Sequence, residues 1–185
     1  MKPLWISPMV DFAFKLMLGS PEHTRVTVHF LNSLLREKLK IRQVTIQNPY
    51  RGNNYHNDKL VVLDIVAIDD RNRYLNIEMQ TTIPAGLLKR LTFYGGRLLV
   101  DQMKTGTTYQ SLRPAIVICV LNGRLFADNT ELHCDYCMRD KNGKPLTEGL
   151  QIHVLQLTNL TVTRENLSTA GSTNVGRSFS YMRIR

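Results

Sequence analysis

Asp64 stands inside the run Leu60-Val61-Val62-Leu63-Asp64-Ile65-Val66-Ala67-Ile68, and Glu78 inside Leu75-Asn76-Ile77-Glu78-Met79-Gln80. A carboxylate in an apolar strand is costly if it stays ionised without a partner. Each acid therefore needs a proton, a cationic side chain or a metal ion. Asp69-Asp70-Arg71-Asn72 lies midway and has turn chemistry, so the two runs read as an antiparallel hairpin centred near residue 71. That register sets 64 opposite 78 on one face, with Cβ atoms about 5 Å apart. Gln80, two residues on, projects to the same face, while Ile77 and Met79 point into the core. Two acids and an amide converge. Mg²⁺ or another divalent cation suits such oxygen ligands, relieves their repulsion and lowers the pKa of a bound water that can attack a phosphodiester. Spacing alone leaves two other readings open. Either acid could pair internally with an arginine such as Arg90, or both could lie on a solvated strand edge.

The elements that must position these groups follow from periodicity. Val10, Phe14, Met17 and Leu18 predict a helix over 8–18, stopped by Gly19. A second helix is expected from Ser20, as cap, and Pro21, in the first turn, to about Leu39. Ile41 to Gln47 alternates like an edge or half-buried strand, and Asn48 to Asp58 reads as a loop. The unbroken run from Leu60 to Ile68 predicts a central strand, and Tyr74 to Gln80 the strand returning from the turn. A long helix is expected over 84–103, with Leu87, Leu88, Leu91, Tyr94, Leu98 and Leu99 on its apolar face. Gly95-Gly96 within it would permit a kink or a close contact. Pro114 to Leu121 is a buried strand. His133 to Met138 and Leu150 to Leu157 form a further hairpin. The result is a mixed sheet with helices packed on it, of the α/β (α+β) class.

At 185 residues the chain suits one domain, set at 1–165. Residues 166–185, rich in Ser, Thr, Gly and Asn, read as a poorly ordered tail. Hydrophobic residues at 43% suffice for a real core. No apolar run approaches the ~20 residues of a membrane span, and the N-terminus lacks a signal peptide's apolar region, so a cytoplasmic location without a membrane partner is expected. The net charge of +9 favours a polyanionic partner such as DNA. Residues 84–124 carry Lys89, Arg90, Arg97, Lys104, Arg113 and Arg124 against one acid, Asp101. Lys89, Arg90 and Arg97, on the long helix, are the candidate DNA-binding residues.

A family resemblance covers about residues 5–125. Asp11-Phe12-Ala13-Phe14-Lys15, Phe30-Leu31-Asn32, Lys59 to Asp64 and Asn76-Ile77-Glu78-Met79-Gln80 fall in order, followed by Arg90 to Tyr94, Gln102, Gly106 and Tyr109. Together they resemble the recombination-promoting nuclease and transposase family of the PD-(D/E)xK nuclease superfamily. The resemblance implies a restriction-endonuclease-like core and metal-dependent DNA cleavage with little sequence preference, in recombination or transposition. It implies that Asp64 and Glu78 are the metal-binding acids. Gln80 stands where the general pattern has lysine, and Asp11 matches an acid on the N-terminal helix that assists the site. Glutamine can orient a water but supplies no charge. The missing cation must come from the metal or a neighbour, for which Arg90 is the candidate. Paired cuts would call for a homodimer. Family members continue into a further helical region, so a truncated or altered C-terminal end is expected. A catalytically inactive DNA-binding or interaction module, a mobile-element remnant, is the alternative.

Other motifs carry less. His133-Cys134-x-x-Cys137 with His153 offers one zinc half-site without a second pair, and the cysteines are read as core thiols, as is Cys119. The serines lack nucleophile-elbow glycines, and no glycine spacing cradles a phosphate. His23, His29 and His56 read as surface or helix-packing residues, and Tyr109 as a packed aromatic.

Overall fold

The computed structural model describes residues 11–48 and 63–159. The first helix, α1 (Asp11–Gly19), buries Phe14 and Leu18. A Cβ on Gly19 would meet Ile65 Cγ1 at 3.1 Å, so the small residue lets the chain turn close against the sheet. Ser20 does cap: its Oγ accepts from the Glu22 amide at 3.3 Å, with Pro21 in the first turn. The capped turn is 3₁₀, over Pro21–His23, and α2 (Thr24–Leu35) follows.

The second helix stops at Leu35, four residues short of expectation. Arg36 is left-handed, with φ 50°. Asn32 holds both the N–H and the C=O of Ile41, each at 2.8 Å, and that contact requires the chain to reverse. Leu39, the expected end of the helix, is exposed.

Six strands form one mixed sheet in the order β1-β2-β3-β4-β6-β5. They are β1 (Val44–Ile46), β2 (Ile65–Asp69), β3 (Tyr74–Gln80), β4 (Ala115–Leu121), β5 (His133–Cys137) and β6 (Leu150–Gln156). The hairpin register is as expected, with Ile65 opposite Ile77 and Val66 opposite Asn76. At its turn Asn72 takes φ 59°, which asparagine tolerates. Buried Asp69 accepts from the amides of Arg71 and Arg73, both at 2.9 Å, and from Arg73 Nε at 2.7 Å. Glu37, just past α2, hydrogen-bonds both arginines, so the helix end is tied to the turn.

The β2 strand is shorter than its apolar run and lies second from the edge. Leu63 and Asp64 precede its first residue, and 60–62 lie outside the described residues. The reason is local. The Asp64 amide goes to the Glu78 side chain at 3.1 Å instead of to a ladder carbonyl. The Asn48 side chain takes the Asp64 carbonyl at 3.1 Å and the Val66 amide at 3.0 Å.

Strand β3 runs parallel to β4, and β4 parallel to β6, while β5 pairs antiparallel with β6. All seven residues of β4 are buried, as a strand covered on both faces requires. On one face α1 and α2 bring Phe14, Leu18, Phe30, Leu31 and Leu34 onto Ile65, Leu75, Ile77, Ile116 and Ile118. On the other, α3 (Leu87–Val100) packs Leu87 and Leu91 on Val117, Cys119 and Val154, and Leu98 on Val66 and Ala115. The architecture is thus a mixed sheet flanked by helices, an α/β fold of the restriction-endonuclease-like kind.

The third helix begins at Leu87, after Gly86 at φ 79°, not at Pro84. Leu88 is exposed and does not belong to the apolar face. Gly95 serves a close contact within an unbroken helix: a Cβ there would fall 2.3 Å from Leu150 Cδ1 and 3.2 Å from Val117 Cγ2. Tyr109, expected to pack, is 83% exposed in a short 3₁₀ turn. Cys119 is core, and burial pushes its thiol up to about 12. Cys134 and Cys137 are only partly buried, on the edge strand β5. The loop read over 48–58 is described only at Asn48, and the tail read over 166–185 lies outside the described residues, as does His56.

Candidate active site

The carboxylates meet at the open end of the β2–β3 hairpin, where β2 begins and β3 ends. This is also the C-terminal end of the parallel strand β3, the usual location of ligand sites in such sheets. Alternation sends Ile77 and Met79 into the core under α1 and α2 and leaves Asn76 and Glu78 on the face that α3 covers. Glu78 is only 3% exposed. Its Oε1 accepts from the Asp64 amide at 3.1 Å and from Asn76 Nδ2 at 3.0 Å. Asp64 returns the link, its Oδ2 accepting from the Met79 amide at 3.2 Å. Each acid is therefore held by the backbone beside the other.

The electrostatics fit a site short of positive charge. The Glu78 carboxyl is pushed up to about 7, first by burial and then by the charge of Asp64, against the opposing pull of its hydrogen bonds and of Arg90. On α3, Arg90 has Nε and Nη2 buried with no hydrogen-bond partner among the described residues, and its guanidinium carbon lies 5.9 Å from the centre of the Tyr94 ring. Asn76 Oδ1 is likewise buried, with no partner among the described residues.

Among the described residues, Lys15 of α1 pairs with Asp64. Its Nζ lies 3.0 Å from Asp64 Oδ1 and 3.0 Å from Asp11 Oδ2. Burial works against its charge, but the hydrogen bonds and charges of Asp11 and Asp64 outweigh it, and its proton is held beyond the ordinary lysine range. Asp11, with its side chain 65% exposed, is linked to Asp64 through this ammonium.

The structure thus brings Asp64 and Glu78 together, with Arg90 on one side and Lys15 leading to Asp11 on the other. Gln80 closes β3, half-buried, and its carbonyl accepts from the Asn122 amide at 2.8 Å. Of the basic residues on α3, Lys89 is exposed, while Arg97 Nε lies 2.9 Å from Asp101 Oδ2. Sequence reasoning overlooked Lys15, Asn48 and Asn76 as site-building residues. The available signal for Lys15 was its place four residues after Asp11 on a helix, the spacing at which side chains meet.

A metal ion fits this donor set in kind. Carboxylate and amide oxygens suit Mg²⁺ or Mn²⁺, and a divalent cation would offset the burial and the Asp64 charge that together raise Glu78. Among the described residues no cluster of three or more His, Cys, Asp or Glu could hold a metal. Among the described residues, Asp64 and Glu78 are the carboxylates that could hold such an ion.

A model of the PD-(D/E)XK nuclease family transposases matches residues 8–175 of the chain. No curated protein and no solved structure gives a significant match.

Proposed function

The chain belongs to the PD-(D/E)XK nuclease family transposases, and from that premise we propose that it is a divalent-metal-dependent DNA endonuclease serving recombination or transposition, with little sequence preference. The observation that carries this reading is the pair of half-buried Asp64 and buried Glu78, with Glu78 accepting from the Asp64 amide, Asp64 accepting from the Met79 amide, and the Glu78 carboxyl pushed up to about 7. Asp64 and Glu78 would hold Mg²⁺ or a similar cation, which when bound supplies Lewis acidity and a water of lowered pKa. Gln80 orients that water. Arg90 adds positive charge behind Glu78. Lys89 and Arg97, on the same helix, engage the DNA backbone, where a net charge of +9 favours association. Asp11 assists from α1.

Cuts in both strands at one place would use two copies of the chain, hence a homodimer on the DNA. A cytoplasmic location belongs to the same proposal. Among the described residues no helix is long and apolar enough to cross a membrane.

The test is supercoiled plasmid incubated with purified protein, with Mg²⁺ or with EDTA, beside Asp64→Ala and Glu78→Ala. Nicking or linearisation that needs metal and disappears in both folded variants is expected. Cleavage that survives in the double variant would refute the assigned site. Salt-sensitive DNA binding by a folded wild type without metal-dependent breaks would mark a catalytically inactive DNA-binding module instead.

A further inference from the structure

The family's pattern names a lysine two residues after its second acid, and this chain has Gln80 there. Among the described residues, Arg90 and Lys15 border the carboxylate pair. Arg90 lies on the α3 side with its Nε and Nη2 buried, so its charge is fixed behind Glu78. Lys15 differs: its side chain is 38% exposed, and its ammonium already touches an oxygen of Asp64. It comes from α1, remote in sequence from the hairpin, and it is anchored a second time by Asp11.

We propose that Lys15 supplies from α1 the positive charge that the pattern assigns to the position of Gln80. The inference rests on the nuclease reading. In the metal-free protein Lys15 neutralises Asp64. During cleavage it faces the scissile phosphate while Asp11 keeps its ammonium in place. Asp11 is thus a positioning residue. The reaction is hydrolysis: a water oxygen bonds to phosphorus, the ester P–O bond breaks, and the departing oxygen ends as a hydroxyl. Lys15 gives up no proton and acts through its charge alone.

The experiment compares wild type with Lys15→Met, Lys15→Arg and Lys15→Met combined with Gln80→Lys. Methionine keeps the aliphatic contact and removes the charge. Mn²⁺ affinity is measured calorimetrically without DNA, and plasmid cleavage at saturating DNA. Lys15→Met is expected to bind Mn²⁺ several-fold more tightly, because a cation on Asp64 is gone. It is expected to cut about 10²-fold more slowly in kcat. Gln80→Lys in that background should restore at least about tenfold, and Lys15→Arg should keep more activity than Lys15→Met. A purely structural lysine would give a lower melting temperature and no rescue from Gln80→Lys, and that result overturns the proposal. So does Mn²⁺ affinity unchanged by Lys15→Met. A wild type that cuts beside a Lys15→Met that cuts equally well sinks the role of Lys15 alone. A wild type that binds Mn²⁺ and cuts nothing sinks the nuclease reading together with this one.

Discussion

Glu78 sits where its ionised form is disfavoured, with burial and Asp64 together raising its carboxyl to about 7. A folded-state pKa above the ordinary glutamate value means that the ionised group costs stability once the pH exceeds that ordinary value. Glu78→Gln removes the charge and keeps an Oε1 acceptor for the Asp64 amide and Asn76. In EDTA at pH 8 it should therefore unfold at higher denaturant than wild type, by on the order of 1 kcal/mol. The same variant should lose plasmid cleavage and any stabilisation by Mg²⁺. A metal-free Glu78→Gln less stable than wild type would contradict this electrostatic account. The two acids were legible in the sequence because an ionisable group in an apolar run is an energetic anomaly wherever the chain goes. Lys15 and Asn48 were not legible as partners, since each reaches Asp64 from an element whose docking the local pattern does not encode.

Among the elements, α3 separates two adjacent glycines by what lies beneath them. Gly95 is pressed on Leu150 and Val117, whereas a Cβ on Gly96 would meet nothing within 4 Å. Gly95→Ala should destabilise by about 1–3 kcal/mol through overpacking. Gly96→Ala should stabilise by about 0.5–1 kcal/mol, as helix propensity alone dictates. Urea titrations of the two variants decide it, and equal effects would mean that the helix lies further from the sheet. Periodicity captured this helix, the hairpin register and the buried β4, because alternation and helical spacing are local. It misjudged where elements end. Asn32 draws the chain out of α2 to hold Ile41, and Asn48 and Glu78 take the backbone groups that would have extended β2. Side chains from elsewhere set those limits. It also misplaced Leu88, whose apolar character satisfied a pattern that packing did not use. Tyr109, read as a packed aromatic from its type alone, is exposed.

Across the whole molecule, the sheet edge farthest from the hairpin carries a different sensitivity. His133 Nε2 and His153 Nδ1 are 3.0 Å apart with stacked rings. Burial, then His133, lowers His153 to about 4, and burial lowers His133. Histidines with depressed folded-state pKa values add stability that is complete above the unfolded value near 6.5 and is lost as the pH falls toward 4. Stability should decline through that window with a slope approaching about 1.4 kcal/mol per pH unit for one proton. His153→Gln should flatten the slope in urea titrations at pH 7, 6 and 5, and an unchanged slope would exclude the pair as its source. The strand order also sets a sequence of assembly. The β2–β3 hairpin closes across a tight turn, an event of about 1–10 μs for such units. By contrast, β4 joins β3 only after the α3 crossover, and β6 must bring Leu150 back to Ala115. The two carboxylates are therefore expected to come side by side before Arg90 docks, with the rest of the sheet joining a centre that already holds them.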